Sequence, residues 1–443
     1  MKERLEALGQ ALKLPDVRKR IIFVMIMFAI YIACAHIPLP GVDREALAQL
    51  FQGGTLGEFL NTFVGGSLKQ FSVLALGIMP YINSSIIFQL LIMAIPALEE
   101  LQKEGEYGQK KINRWTRYLT VGLAALQAFG MIGWFRSAGA FTGSTFDMLF
   151  AVLMMCAGTS FLMWLGDMIT DKGIGQGVSL IIFVGIMAVM PQQLMQTITL
   201  WKGGEIGAGN ILFLVAIFVA TIYGIVKVQQ AQREIPVQYA KRVKGNKIWG
   251  GHTQYLPLRV NQAGVIPIIF AISVAMFPAT IANLLQGDAV VGFLNSTFGM
   301  TPERIRQAIF SIVEFTSPGQ SGVASALYFI LVVIFTYFYT AVTFNPEQIA
   351  ENLQKNGGAI RGIRPGEKTR DYLDRILYRI TLAGALFLGV VALMQFYVGD
   401  ITGVTTFSLV GGTSLLIVVG VALDTMQQIE AHLLMRHYKG FLS

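Results

Sequence analysis

Ten stretches of this chain contain no Asp, Glu, Lys or Arg, and each is close to the length that crosses a bilayer: 21–37, 73–95, 118–135, 148–166, 177–195, 206–226, 263–285, 323–344, 380–398 and 404–423. A crossing helix needs about 20 apolar residues, and one of those charges at its centre costs about 2.5–3.5 kcal/mol. Composition agrees with this reading. With 54% hydrophobic and 14% charged residues, against a globular norm of about 25% charged, too little polar surface remains to coat soluble domains. Cys34 and Cys156 both sit in apolar runs, which leaves no redox motif and no zinc site. The expected fold is all-α, a polytopic membrane protein of ten transmembrane helices.

Basic residues orient such a chain. With ten spans the two termini share one face, and 28 of the 34 Lys and Arg fall there: ahead of span one, after spans two, four, six and eight, and at the C-terminus. Arg44, Lys69, Arg136, Lys202, Arg304 and Arg306 are left for the other face. Both termini are therefore expected to be cytoplasmic. No cleavable signal peptide is visible. Leu5, Leu8 and Leu12 recur at helical spacing among charges, which fits a membrane-surface helix and a solvated tail equally well.

Two pairs of segments resemble each other across the chain. Gly77-Ile78-Met79-Pro80-Tyr81-Ile82 of span two matches Gly264-Val265-Ile266-Pro267-Ile268-Ile269 of span seven. The run from Gly177 to Gly185 in span five matches that from Gly412 to Gly420 in span ten. Each match joins span n to span n+5. Since five is odd, the second half inserts inverted relative to the first, a plan that puts the working site between the halves near the midplane. The chain divides accordingly into an N-terminal half, 1–200, and a C-terminal half, 201–443, around a central pore. Pro80 and Pro267 are expected to break their spans by removing a backbone hydrogen bond, a defect tolerated where backbone faces protein or an aqueous cavity.

Inverted repeats first suggest a secondary carrier, but carriers couple to ions through charged groups inside the membrane. The ten spans hold none, and His36 stands alone at the end of span one. Neither a ring of acids nor a filter-like loop favours an ion channel. Isoleucine and glycine dominate the presumed centre instead, with isolated amides such as Asn83, Gln89, Gln127 and Gln395. Apolar rings gate by dewetting and do not read their cargo chemically, which suits a passenger of varied sequence and constant cross-section. A membrane scaffold without a pore is the remaining rival.

Between spans one and two, residues 56–64 form an apolar patch too short to cross, stopped by Gly65-Gly66. Composition alone slightly favours a capped surface helix there over a re-entrant one. Two basic loops, about 227–262 and 345–379, follow spans six and eight. In the first, Gly245-Asn246 supplies a turn between 237–243 and Lys247-Ile248-Trp249, predicting a hairpin with Lys241, Arg242, Lys244 and Lys247 near its tip. In the second, Asn345 caps a helix from Pro346 to Lys355 with Gly357 beyond, followed by the turn from Arg361 to Gly366. Such loops commonly serve topology and lipid contact; arginines held at turns also suit a polyanionic or acidic partner. Gly173-Ile174-Gly175-Gln176-Gly177 opens an apolar span without a preceding strand, so it is not a phosphate loop. His432 and His437, five apart, diverge on a helix. No catalytic residue, metal site or cofactor is expected, and energy must come from a partner.

The stretches from Ala75 to Ile82, Ala263 to Pro267, Gly362 to Glu367 and Gly411 to Ile417 closely resemble the SecY family, the central subunit of the protein-conducting channel, over nearly the whole chain. The resemblance implies a heterotrimer with SecE and SecG in the cell inner membrane, driven by the SecA ATPase or a translating ribosome, passing nascent polypeptide across the membrane and sideways into lipid. It places a pore ring on Ile78, Ile82, Ile182, Ile186, Ile269 and Ile417. A plug falls on about 56–69, with Phe59, Phe63, Gly65 and Gly66. A lateral gate between spans two, three, seven and eight takes in Asn83, Gln127 and Phe277. Motor and ribosome docking falls on Arg361, Arg364 and the hairpin tip, where Gly245-Asn246-Lys247 offers one basic residue in place of two.

Overall fold

The computed structural model describes residues 14–43, 66–67, 70–137, 139–239, 242–244, 247–249, 253–285, 321–404 and 412–439, with isolated positions between 301 and 319. Each of the ten apolar stretches overlaps a helix: α1 (Pro15–Ala35), α2 (Met79–Ala94), α4 (Glu106–Ser137), α5 (Thr145–Lys172), α6 (Gly177–Lys202), α7 (Ala208–Gln230), α8 (Ile266–Leu285), α9 (Gly322–Thr343), α11 (Glu367–Thr402) and α12 (Gly412–Lys439). Two short helices, α3 (Pro96–Lys103) and α10 (Pro346–Lys355), lie between them. Among the described residues, α5, α6, α7, α9, α11 and α12 are each long and apolar enough to cross a membrane. Counted as one span despite a 102° bend, α2 and α3 make a seventh. The first and third stretches lie on helices that begin among charges, Asp16 to Arg20 in α1 and Glu106 to Arg117 in α4.

The second and seventh stretches start outside the helix, which corrects the expected role of their prolines. Pro80 and Pro267 are each the second residue of a helix, in α2 and α8. A first-turn amide has no intrahelical acceptor, so proline costs no bond there and its fixed φ helps the helix begin. Residues 70–78 reach α2 through turns: Val73 N–H donates to Ile37 O (3.1 Å), Ala75 N–H to Ser72 O (2.9 Å) and Gly77 N–H to Leu74 O (2.8 Å). Such backbone is tolerated at membrane depth only when protein covers it, and Phe71, Ser72, Leu74 and Ala75 are all at most 2% exposed.

Both helix starts are built alike. Gly77 and Gly264 have φ of 57° and 67°, the left-handed region open to glycine. Tyr81 and Ile82 N–H then donate to Ile78 O, as Ile268 and Ile269 N–H donate to Val265 O. Glycine contacts repeat at the same spacing of spans. A Cβ on Gly158 of α5 would lie 2.2 Å from Val73 O, and one on Gly384 of α11 would lie 2.5 Å from Val260 O. Likewise a Cβ on Gly177 would meet Gly166 O at 1.8 Å, and one on Gly412 would meet Val391 O at 1.6 Å. Backbone therefore lies directly on backbone at four matched places.

Nine of the long helices share one large buried cluster, while α4, the approach to α2 and part of α5 form a second around Phe71, Phe135 and Met155. Phe71 and Phe135 meet edge to face at 4.9 Å. Ser144 and Asp147 make a reciprocal capping box at the start of α5.

We expect Gly177→Ala and Gly412→Ala each to lower the melting temperature of the purified protein, since overpacking costs about 1–3 kcal/mol. Gly122→Ala, where a Cβ meets nothing within 4 Å, leaves it unchanged or raised. Equal melting for all three variants would remove the close backbone contacts from the account.

Candidate functional site

The six isoleucines assigned to the ring come from four helix starts. Ile78 caps α2 and Ile82 is its fourth residue, while Ile269 is the fourth residue of α8. Ile182 and Ile417 are each the sixth residue, of α6 and α12, and Ile186 lies one turn beyond Ile182. All six are at most 8% exposed and belong to a single buried cluster. Val265 and Val421, which stand where the repeat aligns Ile78 and Ile186, lie in that cluster too. Only aliphatic carbon is contributed by these side chains, so their contacts are dispersion and burial without hydrogen bonding.

Of the segment assigned to the plug, Phe59, Phe63 and Gly65 lie outside the described residues. Gly66 is described, with φ 80°, and a Cβ there would touch Val189 Cγ2 of α6 at 3.4 Å. The N-terminal leucines also lie outside the described residues. Asn83 on α2 and Gln127 on α4 are half-buried, and Phe277 lies on α8. The helices that carry them pack together: α2 against α4, and α8 against α2, α4 and α9. Arg117 of α4 bridges to Asp167 of α5 at 2.6 Å, a link that no sequence pattern pointed to. His36 Nδ1 lies 2.8 Å from Ile32 O in its own helix. No cluster of three or more His, Cys, Asp or Glu side chains placed to hold a metal ion occurs among the described residues.

The two basic loops are one body. The first loop forms β1 (Gln232–Tyr239), β2 (Arg242–Lys244), β3 (Lys247–Trp249) and β4 (Thr253–Arg259), and the second adds β5 (Gly358–Ile360). A three-stranded antiparallel sheet runs β4-β1-β5, with Val237 opposite both Gln254 and Ile360. The hairpin tip is a separate pair, β2 with β3, in which Lys244 faces Lys247; Lys241 lies outside the described residues. Beneath the sheet is a small core of its own: Ile235, Val237, Leu258, Ile360, Leu373, Ile376 and Leu377. Asn345 Oδ1 accepts from Gln348 N–H at 3.1 Å and caps α10 as expected. Arg361 and Arg364 are exposed on the turn that follows β5. That turn needs left-handed backbone at Gly362 (φ 83°) and Gly366 (φ 93°), and Thr369 Oγ1 donates to Arg364 O at 3.0 Å.

Comparison with known proteins adds an independent observation. The SecY family model matches residues 72–426. A protein translocase subunit SecY from Halalkalibacterium halodurans is 45% identical over 439 residues, covering 96% of this chain and 97% of the relative. Among solved structures, a protein-conducting channel superposes with a TM-score of 0.64 at 19% identity, covering 95% of this chain and 93% of that one. Sec61 from a canine ribosome-channel complex of the endoplasmic reticulum superposes at 0.62 with 18% identity over the same shares.

Leu373 is fully buried beneath the sheet. Leu373→Ala, at about 2–5 kcal/mol for a core leucine, should open the sheet body to limited proteolysis while the long helices stay protected. Unchanged cleavage would deny the two loops a shared core.

Proposed function

This chain belongs to the SecY family of protein translocase subunits, and from that premise we propose that it works as a passive, gated conduit for unfolded polypeptide, opening across the membrane and sideways into lipid. It is a channel subunit and not an enzyme. The observation that carries this reading is that six isoleucines from four helices all fall in one large buried hydrophobic cluster. Water confined between aliphatic walls loses hydrogen bonds and leaves, so the cluster seals against ions. A polypeptide entering it meets no partner that prefers one side chain over another.

The two halves, 1–200 and 201–443, supply α2 and α6 on one side and α8 and α12 on the other. Parting them widens the ring, and parting α2 and α4 from α8 and α9 opens a path to lipid past Asn83, Gln127 and Phe277. Residues 56–69 serve as the plug of the resting state. Both termini and the sheet body face the cytoplasm of a cell whose inner membrane holds the channel, as the distribution of Lys and Arg supports. SecE and SecG complete the assembly. Arg361, Arg364 and the hairpin from Lys241 to Lys247 dock the SecA motor or ribosomal RNA, where exposed guanidinium groups on a rigid turn suit acidic or phosphate surfaces.

A photoreactive probe at Ile82 or Ile269 should capture a stalled secretory chain, and no adduct at either position would refute the conduit. Arg364→Glu should reduce export at least tenfold while the heterotrimer still assembles. Export at the original rate with that variant would leave docking without its key residue.

A further inference from the structure

At the end of the bundle that carries the sheet, an opening is lined by several amides. A cavity of about 290 Å3 is bounded by Gln176 and Ser179 of α6 and by Asp424, Thr425, Gln427 and Gln428 of α12. A second, of about 150 Å3, shares Gln427 and adds Gln229 and Arg259. At 1.5 Å per residue, Gln176 lies about 9 Å from Ile182 along α6, and Gln427 about 15 Å from Ile417 along α12. These amides therefore line the mouth on the same helices that carry Ile182 and Ile417.

Four carboxamides at this end share one orientation. Ser179 Oγ donates to Gln176 Oε1 (2.9 Å), Arg259 Nη2 to Gln427 Oε1 (2.9 Å), Gly175 N–H to Gln428 Oε1 (2.8 Å) and Arg259 N–H to Gln262 Oε1 (3.2 Å). In these four a protein donor takes the oxygen, and their Nε2 amino groups have no hydrogen bond among the described residues; Gln232, on the rim of the smaller cavity, is the exception, its Nε2 donating to Glu234 Oε1 at 3.2 Å. Gln229 Nε2 is buried and unpartnered as well. Each amino group offers two N–H donors, so Gln176, Gln427 and Gln428 present donors to whatever occupies the mouth. Asp424 and Glu430 line the same cavities and disfavour an anion. A neutral acceptor that recurs at about 3.3 Å per residue, whatever the side chains, is the carbonyl of an extended polypeptide.

We propose that Gln176, Gln427 and Gln428, with Gln229 behind them, donate to main-chain carbonyls of the entering polypeptide and hold it in extended form ahead of the isoleucine cluster. The inference rests on the conduit reading and gives its entrance a sequence-independent grip that the aliphatic ring lacks. Individually weak bonds let the chain slide, because each carbonyl released is followed by another.

Glutamate tests this cleanly. Gln427→Glu and Gln428→Glu keep the oxygens that Arg259 and Gly175 hold, yet replace each donor with an acceptor that repels a carbonyl. Two unrelated secretory chains, stalled in the intact translocase, should slip back about tenfold faster from the double variant. Gln109→Glu, an added charge on the exposed start of α4, should leave slippage unchanged. If the double variant assembles poorly, Gln427→Glu alone should give about threefold. Unchanged slippage, or faster slippage of one chain only, overturns the proposal, as does an equal effect of Gln109→Glu. A probe at Ile82 must still capture both chains in the unaltered channel; if it captures neither, the conduit reading itself falls.

Discussion

A backbone amide inside hydrocarbon must find its partner within the protein, and among the described residues two of the apolar stretches begin outside a helix. Residues 70–78 and 260–265 descend as turns, satisfied by Ile37 O, Ser72 and Leu74 O in one case and by Ala231 O in the other. In the second, Asn261 Nδ2 also donates to Gly264 O at 2.9 Å. Glycines on neighbouring spans admit them: Gly158 lies on Val73, and Gly384 on Val260. Because these segments end where they do, α2 and α8 begin part-way along their spans, with Ile82 and Ile269 in the first turn. The buried isoleucine cluster is thus a consequence of where two helices are permitted to start.

The same constraint joins the sheet to the helix that carries Ile269. Strand β4 ends at Arg259, Val260 N–H donates to Ala231 O at the foot of β1, and α8 follows within seven residues. Strand β5 pairs with β1, and the turn bearing Arg361 and Arg364 follows it directly. A load on that turn has a hydrogen-bonded route through β5, β1 and β4 to the helix carrying Ile269. Two loops separated by spans seven and eight fold as one body because they share a core around Leu373 and Val237.

Much of this was legible in the residues. Charge-free runs announce buried or lipid-facing helices through local composition, and the paired motifs at Gly77 and Gly264 carry the repeat. The repeat also links Ile82 with Ile269 and Ile182 with Ile417. It does not mark Ile78 or Ile186, whose counterparts are Val265 and Val421, so those two rested on family resemblance. The prolines were misread because 73–78 is as apolar as the helix after it, and composition cannot locate a first turn within a uniform run. Strand β5 is three residues, Gly358-Ala359-Ile360, too short for any periodicity. The glutamines at the mouth are scattered over α6, α7 and α12, and only their hydrogen bonds reveal a common orientation.

Sequence alone determined that the chain is a bundle of apolar helices and that its halves carry matching motifs, because solvation acts on each segment by itself. Tertiary structure alone decided where α2 and α8 begin, that two distant loops fold as one sheet, and which carboxamides meet at the mouth. Those outcomes depend on backbone lying against backbone at particular glycines and on strands pairing across more than a hundred residues, and neither relation is written within any single segment.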